Sequence, residues 1–249
     1  MTAGALVAPG VRAQEVTVFA ARSLRTALDE VGAAWAASTG ARAEISYGTT
    51  LALAQQIDAG ALVDVFISGD PDWMDYLDGR GVIHSATIVK LLRNRLVLVA
   101  PARSDVAIEI APGFDLAGLL GDGRLAMPDT ETLPAGHYGK QALRALGVWD
   151  QVAEQVTQTE SMAAAITLVA AREAVLGIVY LTEAVADPGL RIVDTFPEDT
   201  HAPIVYQAAE TAESADGNAA SFLDFLQTRT AADLFEAKGF TVLAPVVGN

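Results

Sequence analysis

Val16-Thr17-Val18-Phe19-Ala20-Ala21-Arg22-Ser23-Leu24 is the stretch on which the fold turns. Its first five residues form a short apolar run with β-branched and aromatic side chains, the pattern of a buried strand. Directly after it, Leu24, Ala27, Leu28, Val31 and Trp35 fall at helical spacing. A buried strand running into an amphipathic helix is the first half of a βαβ unit. The step then recurs. A strand over 43–47 leads through Gly48-Thr49-Thr50 into a helix carrying Leu51, Leu53, Ala54 and Ile57, closed near Gly60. A strand over 64–68 leads to a helix opening at Pro71, a residue suited to a first helical turn. Leu96-Val97-Leu98-Val99-Ala100 is a strand stopped by Pro101.

The pattern restarts with a strand over 124–127 and a helix over 135–146, with Gly147 in a C-cap position. A helix over 162–171 and strands over 176–180, 190–193 and 204–208 follow. Helices over 219–228 and 231–237 lead to a last strand over 240–243. Alternation of this kind predicts right-handed βαβ units and mostly parallel sheet. So many strands exceed one open sheet, so two α/β lobes are expected. No Gly/Ser-rich linker separates them, so extended strands should make the crossings.

Composition narrows the function classes. The 249 residues hold 31 Asp+Glu against 16 Lys+Arg, a formal charge of −15. Such a chain is repelled by nucleic acid and by anionic lipid. A hydrophobic content of 51% with 19% charged residues fits a large buried core rather than disorder. Cysteine is absent, which excludes disulfides, thiolate metal sites and a cysteine nucleophile. No apolar run reaches the ~18 residues of a membrane span. Residues 1–14 contain Val11-Arg12-Ala13, a small-x-small signal-peptidase pattern, and read as a signal-peptide remnant or a disordered Ala/Gly-rich tail.

Four strand-to-helix junctions carry the chemistry: Ser23; Gly48-Thr49-Thr50; Pro134-Ala135-Gly136; and Glu160-Ser161-Met162-Ala163. A helix start has unpaired N–H groups and the positive end of the macrodipole. Four such starts converging on one point make an anion site without Lys or Arg. Taken singly, each is equally an ordinary N-cap, since Ser and Thr are preferred there. The rest of the inventory is thin. His84, His137 and His201 have no metal-ligand spacing, and Asp199-Thr200-His201 reads as a solvated turn. No nucleophile elbow, Walker A loop or dinucleotide fingerprint occurs. Asp70, Asp72 and Asp75 load the first turn of a surface helix, and Trp35 and Trp149 are packing residues. Arg93 and Arg95 are placed on the surface just before a strand.

At these junctions the chain resembles the periplasmic molybdate-binding proteins of ABC transporters, from about Val16 to Val242. The carrying stretches are 18–24, 53–61 (Leu-Ala-Gln-Gln-Ile-Asp-Ala-Gly-Ala), 64–68, Trp73-Met74-Asp75-Tyr76, Leu133-Pro134-Ala135-Gly136, 176–180 and Thr195-Phe196-Pro197-Glu198-Asp199. The resemblance implies a two-lobed, type II periplasmic binding protein fold with the ligand in the interlobe cleft. One lobe would take 15–94 plus 200–249 and the other 95–199, behind the 1–14 tail. It implies an exported, monomeric, non-catalytic receptor that binds molybdate or tungstate and delivers it to transporter membrane subunits, with no cofactor. The metal would be held as its oxyanion, with no side chain coordinating it directly. Carried over, the donors are Ser23 and Thr50 from the first lobe, and the backbone N–H groups of Ala135 and Met162 with the Tyr180 phenol from the second. Thr50 stands where the family usually has Ser, Met162 where it often has Val, and Arg22 where it commonly has a small residue.

Molybdate and tungstate carry no proton at neutral pH and only accept hydrogen bonds, so an all-donor site suits them. Hydrogen phosphate needs an acceptor that these five positions lack. Sulfate differs in size, so packing around Ala20, Ala21 and Ala135 would set that discrimination. The alternatives are a receptor for another tetrahedral oxyanion such as sulfate or thiosulfate, and an enzyme or a regulator's effector domain on the same scaffold.

Overall fold

In the computed structural model, which describes residues 15–214 and 217–247, the opening stretch forms β1 (Glu15–Ala21), one 3-10 turn at Arg22–Leu24, and α1 (Arg25–Thr39). Two like steps follow, β2 (Arg42–Gly48) into α2 (Thr50–Asp58) and β3 (Val65–Ser68) into α3 (Pro71–Gly79). Strands β4 (Val89–Asn94) and β5 (Leu96–Pro101) are separated by Arg95. Next come α4 (Leu116–Leu120), β6 (Leu125–Pro128), α5 (Pro134–Ala145), α6 (Trp149–Val152), β7 (Val156–Thr159), α7 (Met162–Ala170), β8 (Leu176–Tyr180), α8 (Leu181–Ala184) and β9 (Leu190–Thr195). The chain then forms β10 (Ile204–Glu210), α9 (Gly217–Leu226), α10 (Arg229–Ala237) and β11 (Thr241–Val242). The signal-remnant reading falls on residues 1–14 and lies outside the described residues.

The strands make two sheets, in the orders β11-β4-β10-β3-β1-β2 and β7-β6-β8-β5-β9. Strand β1 pairs in parallel with β2 and β3, and β6 in parallel with β7 and β8. Each sheet is nonetheless mixed. β10 is antiparallel to β3 and β4, β11 to β4, and β5 to β8 and β9. The reason is how β5 and β10 arrive. A parallel neighbour needs a helical crossover to bring the chain back. β5 instead continues straight out of β4 into the other sheet, and β10 returns from β9 through residues 196–203. The first crossing is extended backbone, as expected from the missing linker, whereas the second departs from that expectation by folding into a 3-10 turn at Glu198–Thr200.

Burial follows the periodicity. Val16, Val18 and Ala20 of β1 are fully buried, as are Ala27, Leu28, Val31 and Trp35 of α1. The Trp35 ring meets Phe222 of α9 edge-on, with centroids 5.1 Å apart. One arginine departs from expectation. Arg93 lies within β4 rather than ahead of a strand, and its Nη1 donates to Glu198 Oε2 at 2.7 Å. That pair ties the first crossing to the segment of the second. Arg95 is exposed, as expected.

Candidate functional site

The first edge is built by β1, β2 and β3. Running in parallel, they release the chain at the same edge of their sheet, where ligands bind in open α/β folds. Ser23 lies in the turn after β1, Thr49 and Thr50 follow β2, and Gly69 and Asp70 follow β3. The two threonines divide the work. Thr49 Oγ1 caps α2 by accepting from the Ala52 N–H at 3.2 Å. Thr50 Oγ1 accepts from the Gly69 N–H at 3.2 Å, so its own hydroxyl hydrogen remains to be donated. Ser23 Oγ lies 2.8 Å from the phenol oxygen of Tyr206, on β10. Gly69 is wedged here, since a Cβ on it would lie 3.1 Å from Ala21 Cβ and 3.1 Å from Tyr206 Cε1. Ser23, Thr50, Gly69 and Tyr206 thus form one group.

The second edge is built in the same way by β6, β7 and β8. After β6, Asp129 Oδ1 accepts the N–H groups of Glu131 and Thr132 and the Thr132 hydroxyl, which lowers its pKa. Pro134 opens α5 with no N–H to lose, and buried Ala135 follows. Gly136 then allows the helix start to sit on the strand end. A Cβ there would meet the Asp129 carbonyl oxygen at 2.2 Å and that of Pro128 at 2.3 Å. After β7, Ser161 caps α7 by accepting from the Ala164 N–H at 3.2 Å, which leaves Met162 as the first helical residue. Tyr180 ends β8 with 8% of its surface exposed. Its hydroxyl has no hydrogen-bond partner among the described residues. Burial first, then the nearby Tyr206 and Tyr138 phenols, pushes its pKa well above the ordinary 10.0, so it is a neutral donor at physiological pH.

Side chains between the edges complete the site, and these the sequence reading missed. Asn94 and Thr182 are buried, and Asn94 Nδ2 donates to Thr182 Oγ1 at 3.0 Å and to Tyr206 Oη at 3.4 Å. Burial pushes Tyr206 up to about 12. Tyr138, on α5, is also raised to about 12 by burial and then by the charge of Asp70. The charge of Asp70 contributes to the Tyr180 shift as well. Asp70 caps α3, accepting from the Asp72 N–H at 3.0 Å, as expected for that aspartate group. Tyr206 left one signal, because a tyrosine inside a buried strand must find a partner for its hydroxyl.

The five expected donors are therefore distributed over the strand ends of two sheets, Ser23 and Thr50 on one and Ala135, Met162 and Tyr180 on the other. They offer N–H and O–H groups and no charge. Arg22 is exposed, and its side chain makes no hydrogen bond or ion pair among the described residues. His201 stacks at 5.9 Å from the Tyr138 ring. Among the described residues, no three His, Asp or Glu side chains gather to hold a metal ion. No helix there is long and apolar enough to cross a membrane.

The family model described as bacterial extracellular solute-binding protein matches residues 16–241. The molybdate-binding protein ModA of Escherichia coli K12 is 40% identical over 231 residues, covering 92% of this chain and 89% of that relative. ModA of Haemophilus influenzae is 34% identical over 91% of this chain and 90% of its own length. The solved Azotobacter vinelandii periplasmic molybdate-binding protein superimposes with a TM-score of 0.76 at 26% identity, over 92% of this chain and 99% of that one.

Proposed function

The chain belongs to the bacterial extracellular solute-binding protein family, and from that premise we propose that it is a periplasmic receptor for molybdate or tungstate. It captures the anion between two lobes, residues 15–94 with 200–249 and residues 95–199. It then delivers the anion as a monomer to the membrane subunits of an ABC transporter, without catalysing a reaction. The observation that carries the ligand class is the donor set. Thr50 Oγ1 already accepts a backbone N–H, and the nearly buried Tyr180 hydroxyl is unpartnered and neutral. Both have hydrogens to give. Ser23 and the first-turn N–H groups of Ala135 and Met162 complete an array for an anion that only accepts. The relatives and the solved neighbour that are named for molybdate support the choice of metal.

Closure would bend Arg95 and residues 196–203, the two crossings, and bring the edges together. One observation favours a second reading, a singly protonated oxyanion: Asp70 is a first-lobe carboxylate whose charge reaches Tyr138 and Tyr180. Its capping bond commits one oxygen to the start of α3, so the fully deprotonated anion ranks first. Thermal unfolding of ligand-stripped protein separates the readings. Molybdate and tungstate at millimolar concentration should raise the melting temperature, since a ligand bound to the native state stabilises it. No shift with either, or a larger one with phosphate, would overturn the proposal.

A further inference from the structure

We propose that Tyr206 is a positioning residue for the oxyanion site, which turns the Ser23 hydroxyl hydrogen toward the cleft and keeps Ser23 a donor. The inference rests on the oxyanion reading above and adds the device that gives the site its polarity. A chain of buried side chains fixes where each hydrogen goes. The Arg95 N–H donates to Asn94 Oδ1 at 2.9 Å, and this fixes which end of the Asn94 amide faces where. Its Nδ2 must then face Thr182 and Tyr206, and both receive a hydrogen from it, at 3.0 and 3.4 Å.

Tyr206 Oη has two hydrogen-bond partners, Asn94 Nδ2 and Ser23 Oγ. The amide nitrogen has no lone pair to offer. Among the described residues, the one acceptor for the Tyr206 hydrogen is therefore Ser23 Oγ at 2.8 Å. The opposite arrangement, with Ser23 donating, strands the phenol hydrogen of a residue that is 1% exposed. An unsatisfied buried donor is strongly disfavoured. With Tyr206 donating, the Ser23 hydrogen cannot point along that axis and is left for the ligand.

The polarity runs from a backbone N–H at the interlobe crossing, through Asn94 and Tyr206, to Ser23. It explains how a hydroxyl, which can donate or accept, behaves as a donor. It also sets a selectivity. The Tyr206 hydrogen takes one of the two lone pairs of Ser23 Oγ, which leaves Ser23 a poorer acceptor for the proton of a hydrogen phosphate.

The test is a double-mutant cycle on the full, ligand-stripped chain, read by calorimetric titration with molybdate at pH 8. Ser23→Ala in the parent should weaken binding by about tenfold or more, as for a hydrogen bond to a charged group. Tyr206→Phe should weaken it by about tenfold and lower the molybdate-to-phosphate affinity ratio, because the freed serine can now accept. In the Tyr206→Phe background, Ser23→Ala should cost less than about threefold. Equal effects of Ser23→Ala in both backgrounds, with an unchanged anion ratio, would mean that Tyr206 is packing alone and would overturn the inference.

If Tyr206→Phe loses its cooperative melt, Asn94→Asp takes its place. The carboxylate would draw the Tyr206 hydrogen to itself and should lower the same anion ratio. Both anions are dianions at this pH, so the added charge cancels in the ratio, and an unchanged ratio overturns the inference. Failure of the parent to bind molybdate or tungstate would overturn the functional reading itself, a result distinct from an additive cycle.

Discussion

Tyr180 is the residue whose environment speaks most directly to ligand binding. Its phenol is 8% exposed and has no hydrogen-bond partner among the described residues. Tyr180→Phe removes one hydrogen bond to a charged ligand and should weaken oxyanion binding by about 1–3 kcal/mol at unchanged stability, measured by titration and melting. Glu183 behaves differently. Its Oε2 is buried without a partner, and burial pushes its carboxyl up from the ordinary 4.5 to about 7. The native state then holds a proton that the unfolded chain releases, so stability falls as pH rises from about 4.5 to about 7 and then levels. Glu183→Gln should remove that slope, adding up to ~3 kcal/mol at pH 8 and little at pH 4.5 in denaturant titrations. At this scale the junctions that hold Ser23, Thr50, Ala135 and Met162 were legible from their strand-to-helix pattern, while their expected role as donors, and Tyr180 altogether, came from the family resemblance. The Tyr206 and Asn94 contacts were not legible, because a hydroxyl or amide inside a strand shows no partner until the crossing strands bring one to it.

Helix starts are the working elements. Thr49 and Ser161 cap α2 and α7, and so hold the first-turn N–H groups at Thr50 and Met162 in place. Capping and anion binding, which competed as readings of the sequence, are compatible in this arrangement: the cap uses one residue and leaves its neighbour free. Helix α5 has no side-chain cap and depends instead on Gly136 lying against the carbonyls of Pro128 and Asp129. Gly136→Ala should destabilise the fold by about 1–3 kcal/mol through overpacking against backbone that cannot yield. It should also weaken anion binding, because Ala135 moves with the helix start. Denaturant unfolding and titration check both. The long amphipathic helices and apolar strands were legible from periodicity. The short α4, α6 and α8 hold too few residues to show a period. Strand β7 is Val-Thr-Gln-Thr, and β4 carries Lys90, Arg93 and Asn94, so neither forms an apolar run.

At the scale of the molecule, β5 and β10, two of the reversed strands, define the architecture, because each enters its sheet from the other. Alternation along the sequence announced two α/β lobes, but the reversal follows from topology and has no residue signature. Asn94 and Tyr206 lie on β4 and β10, the strands that flank these crossings. The charge of −15 acts on a dianion only from a distance, and salt screens exposed charges beyond ~8 Å. With neutral donors at contact, affinity should not fall as salt rises from 20 to 200 mM; a steep fall would point to a cationic site instead. The central claim is an all-donor cleft for a fully deprotonated tetrahedral oxyanion. Calorimetric titration of ligand-stripped protein with molybdate, tungstate, sulfate and phosphate tests it most directly. Tight 1:1 binding of the first two, with sulfate weak and phosphate silent, is the predicted result; phosphate binding as tightly as molybdate would contradict it.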